Sequence, residues 1–245
     1  MYQNYIFDLY GTLIDIHTDE EKEYLWEKMA ELYADKGARY APDDLKRTYF
    51  LQCREAEEWQ KAESSAQYPE INIGEIFRGL FLMKNITPED DLVSHAAVTF
   101  RNLSREYMRL YSGVPEMLGE LKRQNKKIFL LSNAQRLFTL PELERTGLYG
   151  CFDDIFISSD YGIKKPEKSY MEILLKKHHL HVKDCIMIGN EWGSDIAVAN
   201  ACGMDSLFFH SAPEPLPKKI SATYVVAEGK FDHIDFIYDW KGDGK

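Results

Sequence analysis

The sequence predicts an α/β protein, a doubly wound parallel-sheet (Rossmann-like) core interrupted early by an inserted all-α unit. Three observations predict it. The apolar run Tyr5-Ile6-Phe7 ends in Asp8 and a turn, Leu9-Tyr10-Gly11-Thr12-Leu13, so a buried strand opens the chain. Four consecutive helical patterns follow with no strand between them, and such helices stand apart from the sheet. From Pro115 onward, short β-rich runs alternate with helical ones, the rhythm of a parallel sheet covered on both faces.

Asp8 stands at the carboxyl edge of the first strand, where open α/β sheets bind ligands. Gly11 lets the backbone come close to a ligand, and the Thr12 hydroxyl can donate to an anion. An acid in that place is a candidate nucleophile. Asp19-Glu20-Glu21 opens the first inserted helix, with acids in its first turn as the helix dipole favours, and the helix runs to about Asp35. The second starts at Ala41-Pro42-Asp43, where Pro suits the first helical position, and reaches about Glu63. The third covers about Ile73 to Met83, and the fourth, entered at Thr87-Pro88-Glu89, continues to about Leu110. The inserted unit is therefore placed at 15–113, with hinges near 14–18 and 111–114, and the core at 1–14 and 114–245.

In the core, helix Pro115–Gln124 leads to strand Lys127–Leu131, helix Leu140–Thr146 to strand Asp154–Ser158, and helix Lys168–His178 to strand Cys185–Gly189. Helix Asp195–Ala201 precedes strands Ser206–Phe209 and Thr223–Val226, and the tail Lys241–Lys245 reads as frayed.

A net charge of −10 makes nucleic acid an improbable partner, because its phosphates meet a repulsive average field. A small anionic substrate is compatible with it, since a few local cations and a metal reverse the sign within a site. The four cysteines, Cys53, Cys151, Cys185 and Cys202, form no CxxC pair and read as reduced thiols of an intracellular protein. No apolar run approaches membrane-spanning length and the amino terminus lacks a signal-peptide pattern, so a cytoplasmic location and no membrane partner are expected.

Polar residues gather at four strand ends. The set Asp8-Leu9-Tyr10-Gly11-Thr12, Leu131-Ser132-Asn133, Lys165-Pro166 and Gly189-Asn190 with Asp195 resembles the haloacid dehalogenase superfamily, in its subgroup with a helical cap after strand one. The resemblance implies that Asp8 is the nucleophile, forming a phosphoryl-aspartate or an alkyl ester. It implies that Thr12, Ser132 and the Asn133 amide hold the substrate anion beside Tyr10 and Gly11. Lys165 would neutralise developing charge and keep Asp8 ionised. Asp195, Asp8 and the Tyr10 carbonyl would bind Mg²⁺, with Asn190 joining through water, an oxygen-only set of the kind magnesium requires.

The departures divide the reading. Phosphatases of this family carry a second Asp two residues after the nucleophile, and this chain has Tyr10 there, as dehalogenases do. Arg47 stands about where dehalogenases place the arginine that grips the substrate carboxylate, a bidentate task suited to its side chain. Dehalogenases also carry an Asn where this chain has Trp192 and a Tyr where it has Met171, with Tyr170 one place early. The spacing from Gly189 to Asp195 instead resembles the metal-binding phosphatase form. Each residue alone has a plainer reading: Asp195 as a helix cap, Ser132-Asn133 as a loop start, Arg47 as a solvated charge. Together they predict a Mg²⁺-dependent hydrolase of a small phosphorylated metabolite. The alternatives are a metal-free 2-haloacid dehalogenase, and a catalytically weak homologue that binds a phosphorylated ligand because Tyr10 replaces the general acid.

Overall fold

The computed structural model describes residues 2–211, 216, 221–227 and 229–231. The tail Lys241–Lys245 lies outside them. Six parallel strands form one sheet in the order β5-β4-β1-β6-β7-β8. These are β1 (Asn4–Phe7), β4 (Lys127–Ser132), β5 (Asp154–Ile157), β6 (Cys185–Gly189), β7 (Asp205–Phe209) and β8 (Tyr224–Val226). β1 is buried along its whole length, as a central parallel strand must be. Successive residues face opposite layers: Tyr5 and Phe7 pack into one apolar cluster with Leu118 and Leu121, and Ile6 into the other with Tyr170 and Leu174.

Register fixes where the site lies. Phe7 stands opposite Leu130 on one side and Ile188 on the other, so Asp8 emerges level with the ends of β4 and β6. The chain steps from β1 outward to β4 and β5, then crosses back to β6, β7 and β8. The crevice at that reversal is where open α/β sheets bind ligands.

Between β2 (Ile14–Thr18) and β3 (Arg105–Leu110) stand four helices: α1 (Glu23–Asp35), α2 (Pro42–Glu63), α3 (Ile73–Leu82) and α4 (Asp90–Ser104). They share an apolar cluster of their own, which includes Trp26, Tyr49, Phe77 and Phe100. β2 and β3 pair antiparallel, Ile14 opposite Leu110 and Asp15 opposite Arg109, and Asp15 Oδ2 accepts from the Arg109 guanidinium at 2.7–2.8 Å. The fourth helix therefore stops at Ser104, short of the expected Leu110, because Arg105–Leu110 pair with Ile14–Thr18.

The core helices are α5 (Val114–Arg123), α6 (Arg136–Thr146), α7 (Lys168–Lys177) and α8 (Ala197–Cys202). A π-helical turn, Trp192–Ile196, precedes α8, so Asp195 lies inside that turn and is not the helix cap expected of it. A loop between α2 and α3 also reaches the core. The Gln67 and Tyr68 N–H groups donate to Glu167 Oε2, Pro69 bridges Ile163, and Glu70 accepts from the Ser158 hydroxyl at 2.9 Å. No helix among the described residues is long and apolar enough to cross a membrane.

Candidate active site

Asp8 is held by its backbone, whose N–H donates to the Ile188 carbonyl at 2.9 Å, and its side chain is nearly buried. The chain then folds into a tight turn in which the Leu9 carbonyl accepts from the N–H groups of Thr12, Leu13 and Ile14. Gly11 is required there twice over. Its φ is +80°, and a Cβ would fall 2.2 Å from Asn190 Nδ2. The Thr12 hydroxyl lies 3.3 Å from Asp8 Oδ2 and 3.2 Å from Asn190 Oδ1, so these oxygens border one small volume.

Lys165 is 2% exposed, and its ammonium donates to Asp8 Oδ1, Asp195 Oδ1 and the Leu131 carbonyl, each at 2.7 Å. All three of its protons are thereby used. Asn133 brackets the backbone of the same residue: its Oδ1 accepts the Lys165 N–H at 2.8 Å and its Nδ2 donates to the Lys165 carbonyl at 3.0 Å. Asn133 thus fixes the backbone of the lysine and uses one of its two side-chain N–H donors to do so. Asp195 is 1% exposed, and its Oδ2 accepts the Glu191 N–H at 2.9 Å. Gly189 makes room for it, since a Cβ there would sit 2.2 Å from Asp195 Oδ2.

Burial, reinforced by the charge of Asp8, pushes the Asp195 carboxyl up to about 7 against the pull of Lys165. Burial alone would lower the Lys165 pKa, but the two carboxylates more than reverse that and hold it above the ordinary lysine value. With both carboxylates ionised, two of them sharing one ammonium leave one negative charge in a buried site.

That surplus is the first observation that fits a divalent cation, and the second is the donor set. Asp8, Asp195, the Asn190 amide oxygen and the Tyr10 carbonyl are all oxygen ligands of the kind magnesium takes. Among the described residues no three His, Cys, Asp or Glu side chains come together as a metal cluster, so two neutral oxygens must complete this set. Ser132 speaks for an anion rather than a cation: its hydroxyl is buried with no hydrogen-bond partner among the described residues. A buried polar atom left so costs about 1–3 kcal/mol, which an anion oxygen would relieve. The Ser132 carbonyl is fixed by the Tyr170 hydroxyl at 3.2 Å.

Tyr10 does not offer its phenol to Asp8. The hydroxyl donates to Glu142 Oε2 and lies 3.2 Å from the Thr139 hydroxyl. Burial and the Glu142 charge hold its pKa above the ordinary phenol value, so the proton stays. Glu142 in turn accepts from Arg101 Nε at 2.8 Å and Arg105 Nη1 at 3.1 Å, while the Arg101 guanidinium stands 5.5 Å from the Tyr10 ring centre. Sequence reasoning missed Glu142 and Arg101. The available signal was spacing, since Glu142 follows Phe138 by one helical turn and shares its buried face.

The structure thus brings Asp8, Thr12, Ser132, Asn133, Lys165, Asn190, Asp195 and the Tyr10–Gly11 turn to one rim. It does not bring Arg47 there. That side chain is 74% exposed on the first turns of α2 and pairs with Asp44.

A family model described as haloacid dehalogenase-like hydrolase matches residues 2–203. The ribulose-1,5-bisphosphate 5-phosphatase of Halopiger xanaduensis is 30% identical over 128 residues, 52% of this chain and 53% of the relative. A glyceraldehyde 3-phosphate phosphatase of Methanothermobacter thermautotrophicus is 24% identical over 120 residues, 49% of this chain and 53% of the relative. The chain therefore spans about half the length of these curated relatives. Among solved structures, a 2-haloacid dehalogenase from Pseudomonas syringae superposes with a TM-score of 0.63 at 16% identity, covering 93% of this chain and 95% of that one. The magnesium-bound HAD-hydrolase YfnB from Bacillus subtilis superposes at 0.55 and 19% identity, covering 96% and 98%. At such identities these likenesses speak to the fold alone.

Proposed function

The chain belongs to the haloacid dehalogenase-like hydrolases, and from that premise we propose that it is a Mg²⁺-dependent phosphatase of a small phosphorylated metabolite with Asp8 as nucleophile. The observation that carries the reading is the surplus negative charge of Asp8, Lys165 and Asp195 within an oxygen-only donor set. The phosphatase names of the curated relatives support the reaction class. In this reading residues 15–113 form a cap over a core of 1–14 and 114–245.

Asp8 attacks phosphorus, the bond from phosphorus to the leaving oxygen breaks, and an aspartyl phosphate forms. Water then attacks phosphorus, restoring Asp8 and releasing inorganic phosphate. Lys165 aims Asp8 and keeps it ionised, and the Ser132 and Thr12 hydroxyls donate to the phosphoryl oxygens. Asp8, Asn190, Asp195 and the Tyr10 carbonyl would hold Mg²⁺, which when bound neutralises charge on the transferring group. Asn190 stands where an acid would add a charge, so a weak metal site is expected, one that gives up its ion readily to chelator.

Two measurements test this. Phosphate release from a panel of small phosphate esters should appear with Mg²⁺ and vanish with EDTA; release unaffected by EDTA would remove the metal from the proposal. Because Tyr10 keeps its proton, donated in a hydrogen bond to Glu142, the phenol supplies none to the leaving oxygen. The rate should therefore fall steeply as leaving-group pKa rises, aryl phosphates outrunning alkyl phosphates by at least tenfold. Equal rates across that series would reveal a general acid elsewhere in the site.

Tyr10 itself favours a second reading, hydrolysis of a 2-haloacid, since a halide leaves without a proton. The exposure of Arg47 and its pairing with Asp44 count against it. Halide release from 2-chloropropionate that persists in EDTA would establish it.

A further inference from the structure

A groove between α4 and α6 gathers positive charge in a chain whose net charge is −10. It holds about 180 Å³, room for about six water molecules. Arg101, Arg105 and Asn102 line one side and Arg145 the other, with Phe138 as an apolar wall. Glu142 is the one acid among the lining residues, and Tyr10, bonded to the same carboxylate, is not among them.

The charges do not balance. Arg101 and Arg105 both bond Glu142, and either alone would neutralise it. Arg145 is exposed and has no ion pair among the described residues. Among the lining residues three guanidiniums meet one carboxylate, an excess of two positive charges, which Glu20, outside the lining but near enough to feel the charge of Arg101, reduces toward one. Arg105 turns its second terminal nitrogen to Asn102 Oδ1 at 2.7 Å, while Arg101 gives Nε and Nη2 to Glu142. Each guanidinium carries five N–H donors, so several stay available to a ligand. Side chains of this type match tetrahedral oxyanions, which accept paired N–H bonds.

We propose that this groove binds a phosphate-class oxyanion, as inorganic phosphate or as the phosphate of a small metabolite, at a second site separate from Asp8. Arg101 and Arg105 form its inner wall and Arg145 its mouth. The site does not depend on the reaction assigned to Asp8.

The test is calorimetric titration of the full-length Asp8→Asn protein in EDTA, with inorganic phosphate in one arm and glycerol 2-phosphate in the other, each repeated in Asp8→Asn/Arg145→Glu. The charge reversal at an exposed position should weaken groove binding at least tenfold and leave Tm unchanged, and Arg145→Lys should retain part of the affinity. Two phosphates per chain falling to one, or a single phosphate weakened by Arg145→Glu, supports the site. Isotherms that Arg145→Glu leaves unchanged, or no binding in either arm, overturn it. Binding in one arm alone tells free phosphate from the ester. Groove binding should also weaken as NaCl is raised, as exposed charge contacts do.

Discussion

Asp8→Asn is expected to abolish turnover, lowering kcat by a factor on the order of 10⁴ or more, while leaving Tm unchanged or higher. The loss of rate follows because the amide is no nucleophile and no other described carboxylate shares its position beside Thr12 and Lys165. The stability follows from charge. Asp8 and Asp195 share one ammonium, so removing one carboxylate leaves a neutral Lys165–Asp195 pair. Each buried ion costs several kcal/mol of desolvation, and here one of them is uncompensated. Calorimetry alongside the activity assay checks both halves. A kcat within tenfold of the parent would end the assignment of Asp8.

Lys165→Met should abolish turnover too, yet move stability the other way. Two carboxylates then face each other in a buried site with no cation, and the Leu131 carbonyl loses its donor. Breaking a buried pair in this manner costs about 3 kcal/mol or more, read in a domain of this size as a fall in Tm of about 6–12 °C. Measured without metal, the two variants should therefore diverge in Tm. Shifts of the same sign would mean that the charge balance at the rim is wrongly assigned.

The sheet and the rim were legible in the sequence because both depend on local pattern. Apolar runs ending in Asp8, Ser132 and Asn190 announce strand ends, and parallel register brings neighbouring strand ends together without further instruction. Arg105–Leu110 was not legible as a strand. Its residues continue a helical stretch, and only pairing with Ile14–Thr18, more than eighty positions earlier in the chain, makes them extended. Glu142 was hidden for a similar reason. A glutamate inside a helix reads as a solvated charge, and its burial arises only where α4 crosses α6 and delivers Arg101 and Arg105. Arg47 shows the opposite failure. Its position matched a family pattern, but the face of α2 that carries it looks toward solvent.

Phe138 divides the loyalties of α6. Its ring lies among those of Phe77 and Phe100, inside the apolar cluster of the four inserted helices, while Leu143 on the same helix packs beneath the sheet. The insertion and the core are thus not interchangeable modules. A chimaera that borrowed residues 19–104 from a relative would arrive with a socket shaped for another plug, and would need α6 transplanted along with it to close.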